Sequence, residues 1–168
     1  EKDYDGASVG GSQSVTIGAR IVVDDGVILD AGGIRITTSS TAGLLTTATD
    51  RVIFIASEHV SSTSLIEIGA GAQLRSSGAN GIQISATDNT DVTVDISALE
   101  LPLLEGSFFD VNALSVALDV AKTVGVIIGA ADMLAAQTVL AAGGDGAISV
   151  LAQAAGTVTA RVNSSFLG

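Results

Sequence analysis

Cysteine is absent from this 168-residue chain, so it can form neither disulfides nor a thiolate metal site. That absence leaves the compartment open, because surface and cytosolic proteins alike can lack cysteine. Aromatic residues amount to only 3%, with no tryptophan and a single tyrosine, Tyr4. Globular cores usually draw much of their buried area from large rings. A core here has to be built from Val, Ile, Leu and Ala, which suits a narrow interior made of similar layers. Basic residues are also few: seven Lys and Arg stand against 18 Asp and Glu, for a net charge of −11. Without a basic face, nucleic-acid binding is disfavoured, and so is attraction to anionic membranes. Proline occurs once, as Pro102 in "LELPLLEG", between apolar runs where it removes no central ladder bond.

What is present points to an ordered β structure. Apolar residues make up 47%, unlike a disordered chain, and the length allows one domain with a real core. Alternation of apolar and other residues marks "VTIGARIVV" (15–23), "GIRIT" (33–37), "LIEIG" (65–69), "GIQIS" (81–85), "VTVDIS" (92–97), "LSVALDV" (114–120) and "TVTARV" (157–162). β-Branched residues dominate these runs, as strands prefer. Asp-Gly, Gly-Gly, Asn-Gly and Asp-Asn pairs separate them, and these tolerate the positive φ of tight corners. Ser and Thr are abundant in 37–49 and 57–64.

Three stretches share one pattern: "GVILDAGGIRIT" (26–37), "GAQLRSSGANGIQIS" (71–85) and "TVLAAGGDGAISVLA" (138–152). Each has an aliphatic anchor (Leu29, Leu74, Leu140), a corner of small residues, and an alternating apolar pair. The pairs are Ile34 and Ile36, Ile82 and Ile84, Ile148 and Val150. The anchors are 45 and 66 residues apart, close to two and three steps of about 22. Steps of that size from Leu29 fall on or beside Val52, Leu74, Ile96, Leu118, Leu140 and Val162. A second column runs Ile34, Ala56, Ile82, Leu104, Val126, Ile148. The expected fold is therefore an all-β parallel β-helix, or solenoid, of about 22 residues per coil. An irregular segment covers 1–14, and one solenoid domain covers 15–168.

Two segments carry a second reading. "AADMLAAQTVLAAGG" (130–144) also fits a short helix near 131–142, capped by Asp132 and ended by Gly143. "TVGVIIGAADMLAAQTVLAAGG" (123–144) is long enough to span a bilayer, but it holds Asp132 and lacks basic or aromatic flanks, so no membrane insertion is expected. The opening "EKDYDG" resembles the start of a processed segment, so any export signal would lie outside it.

Residues that could carry chemistry are few. Asp88, Asp91 and Asp95 in "TDNTDVTVD" could offer oxygens to Ca²⁺, although the spacing matches no complete calcium loop and favours a turn with solvated carboxylates. Asp24 and Asp25 in "VVDDGV" give a weaker signal of the same kind. "GGDGAISV" (143–150) has Ile148 where the calcium-binding nonapeptide of repeat toxins needs aspartate, so it is set aside. His59, the only histidine, adjoins Glu58 and lies near Ser57, Ser61 and Ser62; no nucleophile-elbow motif supports a hydrolase triad. Phe108 and Phe109, beside Asp110, are the one aromatic pair and suit packing better than a sugar platform. Threonine pairs of an ice-binding face are not seen in register between 36–38 and 157–159. No catalytic or cofactor-binding residue is assigned, and no cofactor is expected apart from the weak calcium reading.

"IGAGAQLRSSGANGIQISA" followed by "VTVDIS" resembles the coils of large bacterial exoproteins of the filamentous-haemagglutinin and autotransporter-adhesin type. The resemblance is one of style over residues 15–162, without a secretion-domain motif. It implies an extended right-handed parallel β-helix, exported to the bacterial cell surface, that serves in adhesion or as a stalk. The expectation is thus a non-catalytic structural or adhesive rod segment, extracellular, whose partner is a glycan or protein of a host or neighbouring cell. Two alternatives are a carbohydrate-active β-helix enzyme or binding module, and a subunit that self-associates through solenoid ends into a filament.

Overall fold

A computed structural model describes residues 2–3, 8–51, 53–98, 113–129 and 135–163. Eleven strands follow one another: β1 (Lys2–Asp3), β2 (Ser8–Val23), β3 (Ile28–Ala31), β4 (Ile34–Arg51), β5 (Ile53–Ile68), β6 (Gln73–Ser76), β7 (Ile82–Ala98), β8 (Ala113–Ile128), β9 (Val139–Ala142), β10 (Ile148–Ala155) and β11 (Val158–Asn163). No helix occurs among the described residues. Residues 135–142 are irregular chain and β9 rather than helix; the rest of the expected helix, 131–134, lies outside the described residues. Among the described residues no helix is long and apolar enough to cross a membrane.

Among the described residues all strand pairs are parallel, and they build three sheets. A first long wall holds β2-β5-β8, a short wall β3-β6-β9, and a second long wall β1-β4-β7 followed by β10 and β11, which both pair with β7. The chain visits the walls in a fixed order: first long wall, short wall, second long wall, and then the first again. The result is a stack of coils, a β-solenoid-like architecture. The two long walls pack face to face, and the short wall closes one end.

The register confirms the columns proposed from the three matching stretches. Leu29 lies beside Leu74, and Leu74 beside Leu140. Ile34, Ile82 and Ile148 form another column, and Ile36, Ile84 and Val150 a third. The period of 22 is wrong. The paired anchors are 45 and 66 residues apart because those intervals are single coils. A step of 22 is half of the first coil and a third of the second, and it carries the chain to another wall whose inner side is also apolar, so steps of 22 still met aliphatic residues. Ile96 pairs with Val162 in the second wall, whereas Leu118 sits beside Glu58 in the first. Val52 and Leu104 are outside the described residues. The second coil is longer because it carries extra chain between β7 and β8 and between β8 and β9. Regular pairing also begins at Ser8, earlier than the boundary expected at residue 15.

Inward and outward residues alternate along each long strand, as the pleat requires. In β4 as far as Ala48, in β5, and in β7 as far as Ile96 the even-numbered residues are buried. Three apolar clusters divide the interior. One lies against the short wall (Ile36, Ile66, Leu74, Ile84 and neighbours), one is central (Ala42, Leu44, Val60, Val92), and one is at the far end (Ala48, Phe54, Ala56, Val94, Ile96). Corners stack as well as strands do. Gly81 (φ 60°) accepts from Ile34 N at 3.0 Å, and Ile82 N donates to Ala147 O at 2.8 Å, which ties three successive corners together.

Candidate functional site

Between the apolar clusters the interior is polar. Thr38 Oγ1 and Ser64 Oγ meet at 2.8 Å across the two long walls. Asp88, only 2% exposed, faces the same gap. Its Oδ1 accepts from Ser40 Oγ at 2.7 Å, from Thr90 Oγ1 at 3.1 Å and from Ser62 Oγ; Thr90 also reaches Oδ2 at 3.0 Å. Lys122, inward on β8, donates to the carbonyls of Thr90 (3.1 Å) and Ala155 (2.9 Å) nearby. Burial pushes the Asp88 carboxyl upward. The hydroxyls of Ser62, Ser40 and Thr90, with the Lys122 charge, outweigh it and hold the group below the ordinary aspartate value.

A second polar patch separates the central and far clusters. Gln13 Nε2 donates to Thr46 Oγ1 at 3.1 Å, and Thr46 Oγ1 donates to Glu58 Oε1 at 3.2 Å. Glu58 is buried, and its Oε2 has no hydrogen-bond partner.

The outer faces differ in character. On the second wall the outward rows are Arg35–Gln83–Ser149, Thr37–Ser85–Leu151, Ser39–Thr87–Gln153 and Thr41–Asn89–Ala155. A shallow groove follows the first three rows. Between β4 and β7 hydroxyl and amide groups thus line up at about 4.8 Å, whereas on β10 Leu151 and Ala155 interrupt two of the rows. The 48-residue offset between β4 and β7 aligns Thr37, Ser39 and Thr41 with Ser85, Thr87 and Asn89. The comparison of 36–38 with 157–159 had missed this alignment. On the first wall the rows include Ser14–His59–Asp119 and Thr16–Ser61–Ala121, and Arg20 pairs with Glu67.

The sequence candidates are distributed as follows. Asp88 points inside, whereas Asp91 and Asp95 lie on the opposite face of β7, so the three do not converge on one cation. Asp91 Oδ1 accepts from Thr157 N (2.9 Å) and Thr157 Oγ1 (3.0 Å), bonds that hold its carboxyl below the ordinary value and secure the junction between β10 and β11. Asp25 Oδ1 accepts from Ala70 N at 2.8 Å and so bridges two corners. Among the described residues no three His, Cys, Asp or Glu side chains cluster as metal ligands would.

His59 Nδ1 lies 2.9 Å from Asp119 Oδ2. Ser14 flanks it in the same row, but no hydrogen bond joins them, and the row lies on an exposed sheet face. A triad is therefore not assembled. Tyr4, Pro102, Phe108, Phe109 and Asp110 are outside the described residues.

Sequence reasoning missed the interior roles of Ser40, Ser62 (noted only as a neighbour of His59) and Thr90, and it missed Lys122 and Asp119 altogether. The signal for the first three was the phase of alternation. In "IRITTSSTAGLL" the inward phase set by Ile34 and Ile36 continues unbroken through Thr38 and Ser40 to Ala42 and Leu44. The pairing of His59 with Asp119 needed the 60-residue offset between β5 and β8. No protein-family model, curated protein or solved structure matches this chain.

Proposed function

We propose that this chain is a right-handed parallel β-helical rod segment of a secreted or cell-surface protein, with a structural and adhesive rather than catalytic role. The handedness follows from a general rule: connections between parallel strands of one sheet wind to the right in about 98% of cases. The adhesive role rests on the hydroxyl and amide rows of the second wall, in register between β4 and β7 and continued on β10 by Ser149 and Gln153. A flat lattice of short donors and acceptors, with Arg35 and Gln83 at one margin, suits the repeated hydroxyls of a surface glycan. Rigid stacking fixes the spacing of these groups before a partner arrives, which reduces the ordering cost of binding. The resemblance to exoprotein coils supports the same role and an extracellular setting.

The purified chain should bind immobilised bacterial or host surface glycans. Replacing Thr37, Ser39 and Thr87 together by Lys should abolish that binding while the strand spectrum is retained. Binding that survives this change, or that is lost only when Ser14 and Ser61 on the first wall are altered, would defeat the assignment to the second wall. Retention by protein partners alone would defeat the glycan reading.

A further inference from the structure

We infer that the second interior polar level is a self-modification site, where Thr46 and Gln13 become joined by an ester with Glu58 as general base. Three groups of different chemistry meet there in the order such a step needs. Thr46 Oγ1 donates to Glu58 Oε1 at 3.2 Å, so a carboxyl oxygen already faces the hydroxyl proton. The same Oγ1 accepts from Gln13 Nε2 at 3.1 Å. Amide geometry then puts the Gln13 carbonyl carbon, Cδ, roughly 4 Å from the hydroxyl oxygen. A modest turn of the Gln13 side chain closes that gap to an attack distance of about 3–3.5 Å. Glu58 is 1% exposed, and its Oε2 has no partner. An orphaned carboxyl oxygen is costly in a core that serves packing alone. In a reacting site it is the atom that can pass a proton on to the departing nitrogen.

The fold assembles this trio from three strands. Gln13 and Glu58 lie side by side on β2 and β5, and Thr46 reaches them from β4 in the facing wall. Val94 beside Thr46 and Leu118 beside Glu58 line the level with apolar surface. Contact held by the strands replaces chance collision. Thr46 is fully buried, so an ester formed on it is shielded from hydrolysis. Gln13 is only partly buried and gives the leaving group a way out. The Asp88 level is different: its hydroxyls surround a carboxylate, with no side-chain amide to attack.

The step balances without a co-reactant. The Thr46 Oγ1–Cδ bond forms as the hydroxyl proton moves to Glu58. The Cδ–Nε2 bond of Gln13 breaks, and the nitrogen takes that proton and leaves as ammonia. Glu58 ends as it began, and nothing is oxidised or reduced. The product ties the two long walls together covalently in a chain that has no cysteine for a disulfide. This chemistry is internal and stands apart from whatever the outer faces bind.

Mass spectrometry of the purified chain tests it. The intact protein should be lighter than its sequence by one ammonia. After trypsin, residues 3–20 and 36–51 should appear as one joined species. Thr46→Val should restore the full mass and separate the peptides, whereas Thr46→Ser, which keeps a hydroxyl, should still link. Glu58→Gln should slow linking about a hundredfold, as loss of a general base does. Each variant is first checked for an unchanged strand spectrum. Separate peptides at full mass from the unaltered chain overturn the inference. So does an ammonia loss located at Asn80–Gly81, a pair that can also shed ammonia by closing a ring. Linking by Glu58→Gln as fast as in the unaltered chain overturns the role of the base.

Discussion

The interior carboxylate of Asp88 shows how a parallel stack tolerates a charge in its core. A buried carboxylate without partners is costly, and hydrogen bonds to the charged form offset that cost. Ser40, Ser62 and Thr90 supply those bonds from three different strands, so the charge joins both long walls at one level. The folded-state pKa of Asp88 is lowered. Its contribution to stability is therefore fully present above the unfolded aspartate value and is lost as pH falls through the lower, folded one. The midpoint of urea unfolding should fall as the medium is acidified below about pH 4. Asp88→Asn should flatten that dependence and lower stability near neutrality by about 1–3 kcal/mol. An unchanged acid slope in Asp88→Asn would show that the hydroxyl cage does not stabilise the anion. Glu58 is a contrasting case. Its single described bond leaves one carboxyl oxygen unanswered, so the patch it forms with Thr46 and Gln13 is the less complete of the two polar levels.

At the level of elements, corners determine whether strands can stack. Gly81 sits where successive corners touch: a Cβ there would come within 2.0 Å of Ala147 O, at a φ of +60°. Gly26 has a similar φ of +69° but nothing within 4 Å. Gly26→Ala should therefore cost only the left-handed conformational penalty of about 1 kcal/mol. Gly81→Ala should cost clearly more in chemical denaturation, because the corner of the next coil must move. Equal losses would mean that the corners are not in firm contact. The strands themselves were legible because Leu29, Leu74 and Leu140 repeat with the same flanking chemistry and stack as aligned. Coil length was not legible. Walls whose inner sides are all aliphatic make a half or a third of a coil resemble a whole one. The polar levels were hidden for a related reason. Serine and threonine suggest an outward face, and only the unbroken phase from Ile34 to Leu44 places Thr38 and Ser40 inside. His59 and Asp119 meet only through the register of β5 with β8, and local motifs carry no information about that register.

For the molecule as a whole, stacking implies that stability is graded along the coil axis. Among the described residues β5, β6 and β7 have parallel neighbours on both sides, whereas β8 to β11 have one. In a parallel edge strand, alternate N–H groups point to the open side and are left to water. Amide hydrogen exchange should thus be slowest in β5 and β7, where both apolar burial and complete ladders protect the backbone. In β10 and β11 it should alternate between slow and fast amides with a period of two. Protection in β10 and β11 that equals that of β7 would mean that these strands are as fully laddered as the middle of the stack, and the graded order of stability would be refuted.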